Sequence, residues 1–229
     1  MRYAGAPRAL IPLVAAALLI TSCSGGSGPP ELPDEGGAAI TVTSERFVTL
    51  GTIRSRYTCD GIDLSPDVRW EGVPEGTGSI VLFLDDPDAP GGTFTHWLVY
   101  DLPPSVSELP EGRGGASSGF PMGGYQGQNG FGGRLGYAGP CPPRGETHRY
   151  LLYVHAVDGT LDLAERATSA EVIEAMRGRT LGHGSLAGTY RRQGIALHPL
   201  ASGRAQPFTH SPAQSAVDGD RWLGAGRPL

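Results

Sequence analysis

From Ser79 to Leu84 the chain reads SIVLFL, and the next residues are DDPDAP. A nearly continuous apolar run of this length, rich in β-branched and aromatic side chains, fits a strand buried on both faces, which requires a sheet with a packed layer on each side. The run ends in Asp85, Asp86 and Asp88, with Pro87 and Pro90 stiffening the chain between and after them. Like charges so crowded raise one another's pKa unless a cation or hydrogen-bond donors meet them. If the strand continues through both aspartates, Asp85 and Asp86 point to opposite faces, so at most one shares a site with Asp88. The plain alternative is an Asp-Pro turn whose carboxylates cap neighbouring N–H groups.

Other segments support a sheet. AITVTSERF alternates, DVRW is short, and FTHWLVYDL and HRYLLYVHAV are strongly strand-like. One helix is predicted over SAEVIEAMRGR, opened by the capping-box spacing Thr168-x-x-Glu171 and closed near Gly178; a second short helix is predicted over GSLAGTY, 184–190. Strands early, a helix late and long Gly/Pro connections give a mainly β fold with an antiparallel core and a few peripheral helices. Residues 39–192, some 150 in all, suffice for one domain with a sizeable core.

Both flanks differ in kind. Residues 1–22 combine Arg2 and Arg8 with the apolar ALIPLVAAALLI, too short to span a bilayer, and read as an export signal. ITSC, Ile20 to Cys23, resembles a bacterial lipobox, in which Cys23 becomes the lipid-modified first residue. The expectation is a membrane-anchored protein on the extracytoplasmic side. Residues 23–38 are Gly-, Pro- and acid-rich and read as a flexible tether; residues 193–229 read as a disordered tail with Trp222 as its one anchor candidate. The formal net charge is −5, and losing the signal removes two arginines and no carboxylate, which disfavours nucleic acid as a partner.

An exported context permits a disulfide between Cys59 and Cys141, with two buried free thiols as the alternative. No CxxC or HxxxH spacing supports zinc, and DDPDAP lacks the glycine turn and distal glutamate of a calcium loop, so no metal or cofactor is expected. GASSG, 115–119, matches a G-x-S-x-G nucleophile pattern but has neither a strand before it nor a helix after it.

Functional residues are expected around the Gly/Pro-rich connection between Pro103 and Arg149. A period of two places His96 with Leu98 and Tyr100 on one face of its strand, and His148 with Tyr150 on one face of theirs, opposite Arg149. A carboxylate turn, two strand histidines, a tyrosine and a Gly/Pro loop are parts of a small polar pocket.

Taken in order, YTCDGIDLSPDVRWEGVPEGTGSIVLFLDDPDAP, THWLVYDLP, QNGFGGRLGYAGPCPP and HRYLLYVHAVD resemble the phosphatidylethanolamine-binding protein family, in its bacterial Raf-kinase-inhibitor-like branch, over about residues 39–192. The resemblance implies an antiparallel β-sandwich with peripheral helices and an edge pocket for small anions or phospholipid headgroups. Matched onto this chain, the pocket residues are Asp86, Asp88, Pro90 as a cis-proline, His96, Gly139, Pro140, Pro142, His148 and Tyr150, with Tyr137 at the rim. One departure is Ser185, where the family carries an acidic residue before L-x-G-x-Y.

A phosphate facing Asp86 requires positive charge between them. Cationic His96 or His148 is therefore expected, with glycine-loop N–H groups and the Tyr150 hydroxyl donating to the anion. The leading expectation is non-catalytic binding in the cell envelope. The alternatives are an inhibitor or scaffold acting on an envelope protease or signalling protein through the pocket rim, and, behind both, a hydrolase.

Overall fold

The computed structural model describes Met1 and residues 36–47, 50–115 and 117–194; Cys23, the signal, most of the tether and the tail with Trp222 lie outside the described residues. In chain order the elements are β1 (Ala38–Ala39), β2 (Thr41–Thr43), β3 (Gly51–Thr52), β4 (Val68–Glu71), β5 (Ser79–Asp86), β6 (Phe94–Leu102), β7 (Glu108–Leu109), β8 (Tyr125–Gln126), β9 (Thr147–Val157), α1 (Ser169–Met176) and β10 (Thr180–Arg191). A single 3₁₀ turn covers Ser55–Tyr57.

The large sheet runs β1-β10-β9-β5-β6-β8, with β3 also pairing β10; the small sheet runs β2-β4-β7. β5 lies between β9 and β6, antiparallel to both. Its alternate residues enter two cores. Ile80, Leu82 and Leu84 meet Val42, Val68, Trp70 and Leu109 of the small sheet, together with Trp97, Tyr150, Leu152 and Val154. Val81 and Phe83 meet Leu98, Tyr100 and the α1 residues Val172, Ile173 and Met176. This double cover is why SIVLFL shows no polar alternation: every residue of β5 is buried. Among the described residues the fold is thus a β-sandwich with one α-helix on the outer face.

The helix has its predicted start. The Thr168 hydroxyl accepts from the Glu171 N–H at 3.3 Å while the Glu171 carboxylate accepts from the Thr168 N–H at 2.8 Å.

GSLAGTY is not a helix; it is the second half of β10, paired along its length with β9. Leu186 and Tyr190 point into the inner core, while Gly184 and Gly188 lie flat where other side chains cross. A side chain at Gly184 would collide with the Ile40 carbonyl, and one at Gly188 would press on the Phe47 ring. Small residues here serve close packing against the sheet, and their weak β propensity is overridden by tertiary contacts.

Candidate functional site

The site lies where β5 ends, beside the ends of β6, β9 and β10. Asp86 keeps the parity of Ile80, Leu82 and Leu84 and so faces the inner side; His148, two residues before Tyr150 on β9, faces the same way. Their side chains meet, with His148 Nδ1 at 2.8 Å from Asp86 Oδ2, and both residues are buried. The other Asp86 oxygen accepts the Asp88 N–H at 2.9 Å, so the DPDAP turn folds back onto the carboxylate that precedes it. On its far side, His148 Nε2 lies 3.4 Å from the exposed Glu146 carboxylate. Burial alone lowers the His148 pKa, but the hydrogen bond and charge of Asp86, reinforced by Glu146, outweigh it and raise the value above that of an ordinary histidine.

His96 reaches this side by a different route. Leu84 stands opposite Trp97 but Asp85 stands opposite Thr95, so His96 is an extra residue in β6, a β-bulge. Strict alternation would have put His96 with Leu98 and Tyr100 on the helix side; the bulge turns it to the inner side, where its ring meets the edge of Tyr150 at 5.3 Å. Its Nδ1 is 2.6 Å from the Ala138 carbonyl. A carbonyl only accepts, so Nδ1 carries the proton and Nε2 is left as an acceptor in the neutral ring. Burial lowers the His96 pKa despite that carbonyl. Of the two histidines, His148 is therefore the one biased toward the cation and His96 the one biased toward the neutral ring.

Asp86, His96 and His148 line a cavity of about 390 Å³, with Pro90, Pro142 and Arg192 among its other walls. Phe94 and Phe131 form its apolar side, edge-to-face with each other at 4.7 Å and with His96 at 5.0 and 5.6 Å. Cys141 also lines it, bridged to Cys59 with 5.4 Å between Cα atoms. The bridge and the Cys59 N–H bond to the Pro140 carbonyl fix the Gly139–Pro142 wall to the loop that precedes Asp60.

Four of the expected pocket residues stand elsewhere. Asp88 points out to Arg149, on the opposite parity from His148: its carboxylate accepts from the Arg149 backbone N–H at 2.8 Å and from Nε at 2.9 Å. The Arg149 hydrogen bond holds the Asp88 carboxyl down at about 2. Asp88 is thus a strut between the turn and β9. The Gly139 N–H is already taken by Asp63 Oδ1 at 2.7 Å, and a side chain at Gly139 would strike the Tyr57 carbonyl, so this glycine serves close packing rather than anion contact. Pro140 accepts from Cys59 behind the wall. Tyr137 is no rim residue: its ring packs against Trp97 at 5.7 Å and its hydroxyl donates to the Tyr57 carbonyl. Tyr150 belongs to the inner core yet borders the site, its ring against His96 at 5.3 Å and its buried hydroxyl on the Asp86 side. Burial, then the charge of Asp86, pushes its pKa far above the usual phenol.

Phe94, Phe131 and Arg192 are among the cavity residues that the sequence reading missed. Phe94 and Phe131 carry no polar signal, although Phe131 sits inside the QNGFGG motif. Arg192 hides in an Arg doublet that reads as solvated surface, yet alternation along β10 sends only one of the two inward. The GASSG serine is inert by geometry: the Ser117 hydroxyl donates to the Gly119 carbonyl at 3.1 Å on the exposed surface.

The comparisons agree with this architecture. The family model described as phosphatidylethanolamine-binding protein matches residues 43–191. A UPF0098 protein of Pyrococcus abyssi is 42% identical over 190 residues, covering 81% of this chain and 99% of its own length. UPF0098 protein YbhB of Escherichia coli is 44% identical over 115 residues, 49% of this chain and 72% of its own. Among solved structures, the phosphatidylethanolamine-binding protein homolog CT736 of Chlamydia trachomatis matches with a TM-score of 0.60 at 36% identity, covering 68% of this chain and 99% of that one. E. coli YbcL, described as a member of the mammalian PEBP family, matches with a TM-score of 0.63 at 30% identity, covering 68% and 100%. The chain belongs to the phosphatidylethanolamine-binding protein family.

Proposed function

We propose that the cavity binds a small anionic group of the phosphate type without turning it over, and that the protein does so at the extracytoplasmic face of a membrane, held there by a lipid on Cys23. The observation that carries the binding reading is the buried Asp86–His148 pair at 2.8 Å beside an open cavity of about 390 Å³. A cationic imidazole at a cavity wall attracts an anion, which would take the Nε2 N–H from its long 3.4 Å contact with Glu146, while Asp86 on Nδ1 keeps the ring charged. Neutral His96 offers an acceptor to a protonated phosphate oxygen, which favours a hydrogen phosphate over a fully ionised one. Aromatic and proline walls suit the organic part of a phosphate-bearing headgroup.

Binding is tested by titrating the full chain, with its histidines ¹⁵N-labelled, with inorganic phosphate and with phosphorylethanolamine. The expected result is a saturable shift of His148 and His96 signals at pH 6, and no release of phosphate from a phosphoester panel. Turnover abolished by Asp86→Ala would replace this reading by a hydrolase. The anchor is tested separately, because Cys23→Ser should move the protein from the membrane fraction to the soluble envelope fraction.

A further inference from the structure

The register of β10 against β9 brings a second cation to the cavity. Tyr190 stands opposite His148 and Arg191 opposite Thr147. The pairing continues past the strand end, with Arg192 N–H donating to the Glu146 carbonyl at 3.2 Å and Gly145 N–H donating to the Arg192 carbonyl at 2.8 Å. Arg192 therefore has the parity of Leu186 and Tyr190, on the His148 side of the sheet, and it lines the cavity. It is a diagonal neighbour of His148, a spacing that a long side chain crosses easily.

Its guanidinium is held from behind. Nε donates to Asp60 Oδ1 at 3.1 Å, while the other Asp60 oxygen accepts the Tyr190 hydroxyl at 2.8 Å. The Tyr190 hydrogen bond, with Arg192 reinforcing it, lowers the Asp60 pKa and keeps the carboxylate charged. Asp60 follows Cys59 directly, so the disulfide to the cavity-lining Cys141 fixes the carboxylate that orients the arginine. Only Nε is engaged among the described residues, which leaves the two terminal nitrogens as a planar fork. The Arg192 side chain is 24% exposed, so its charge is partly removed from water but open to a ligand.

We propose that Arg192 is the specificity-determining residue of the cavity: it binds the phosphoryl group bidentately, with Asp60 as its positioning residue, and it selects tetrahedral oxyanions with two or more free oxygens. This rests on the anion-binding reading above. Where His148 supplies a single donor whose charge depends on pH, Arg192 supplies a fork that is always charged and matches two oxygens of one phosphate. The chemistry is shared by free phosphate, soluble phosphomonoesters and phosphomonoester lipid headgroups; a phosphodiester headgroup has just two free oxygens, enough for the fork but leaving none for His148, and satisfies the site less well.

The test is calorimetry on the full chain with inorganic phosphate, phosphorylethanolamine and glycerophosphorylethanolamine. Vesicles of phosphatidic acid or phosphatidylethanolamine in a phosphatidylcholine background separate the lipid source from the soluble one. The expected result is binding of inorganic phosphate and of the monoester, weaker binding of the diester, and a loss of about 10- to 100-fold in Arg192→Gln, the range for one charge-assisted pair. Arg192→Lys should recover only part of that loss, since a point charge lacks the fork. Asp60→Asn should weaken binding less than Arg192→Gln and leave the pH profile set by His148 unchanged; a merely structural Asp60 would lower the melting temperature without changing the preference for monoester over diester. Wild type that binds phosphate while Arg192→Gln binds equally well, with a wild-type melting temperature, overturns this inference and spares the cavity reading. No binding by wild type at all overturns both.

Discussion

Asp85 and Asp86 are adjacent, equally buried at 4% and 3% exposure, and lie on opposite faces of the same strand, yet they live under different electrostatics. On the inner face Asp86 meets the His148 imidazole and the Asp88 N–H. On the outer face one Asp85 oxygen has no hydrogen-bond partner among the described residues, and burial, with the Asp86 charge added, pushes its pKa up to about 7. A few residues along that outer face, His155 packs against Phe83 and His183 with neither ring nitrogen partnered among the described residues, and burial pushes its pKa down to about 4. The inner face thus holds its ionisable groups by pairing them, and the outer face holds its own by neutralising them. Burial is the same in both places; what differs is whether a charged partner is supplied, and it is the paired face that opens on the cavity lined by Asp86, His96 and His148.

The largest effects expected from this contrast are on the paired side. Replacing Cys59 and Cys141 by serine frees a loop with a sequence separation of 82 and should cost about 4 kcal/mol of stability, read as a lower urea midpoint. His148→Ala strands the Asp86 carboxylate in a buried site and should cost about 3 kcal/mol, with phosphate binding lost as well. If His148→Ala unfolded no more easily than wild type, pairing would not be what holds the inner face.

The neutralised side predicts gains instead. Above pH 7 the native Asp85 is ionised without a full set of partners, so Asp85→Asn should stabilise the protein there by about 1–3 kcal/mol and do little at pH 4. Its sign in the wild type follows from proton uptake: native Asp85 keeps a proton that the unfolded chain releases near pH 4, so its contribution is present below about 4 and is lost as pH rises to about 7. His155 acts oppositely. It is neutral in the native state where the unfolded chain is protonated, so its contribution is present above about 6.5 and is lost as pH falls through about 4. The two slopes overlap and offset each other. Chemical denaturation from pH 4 to 7 should therefore show stability rising more steeply with pH in Asp85→Asn than in wild type, and falling relative to wild type in His155→Phe. Parallel profiles in all three would remove the contrast between the faces. The smallest effect is expected for Asp88→Ala, which breaks an exposed ion pair with Arg149 and should leave phosphate affinity unchanged.

Much of this was legible in the sequence where a single physical signal dominated. SIVLFL announced a strand covered on both sides, Thr168 and Glu171 announced a helix start, and the ordered motifs placed Asp86, Pro90, His96, Pro142 and His148 at one cavity. The errors came where a local rule met a tertiary one. A period of two gives the wrong face for His96, because one bulge residue inverts the parity and nothing in FTHWLVYDL marks it. GSLAGTY looks helical because its small residues lack β-branching, while the packing that needs them small lies in Ile40 and Phe47, far away in sequence. Asp88 and Gly139 carry the right chemistry for a pocket, but Arg149 and Asp63 claim it first. Arg192 was illegible for the converse reason, since its role depends on strand register and on a disulfide-held carboxylate 132 positions earlier.

The central claim is that a charged His148, kept so by Asp86, makes the cavity an anion site. It is tested most directly by the pH dependence of anion affinity in the full chain, measured by calorimetry between pH 5 and 8 with phosphate and, because its own charge is constant over that range, with sulfate. Native His148 has a raised pKa, so affinity should be highest at the acid end and fall as pH rises through that value for both anions, and His148→Gln should abolish the dependence. A flat sulfate profile across the range in the wild type would contradict the account.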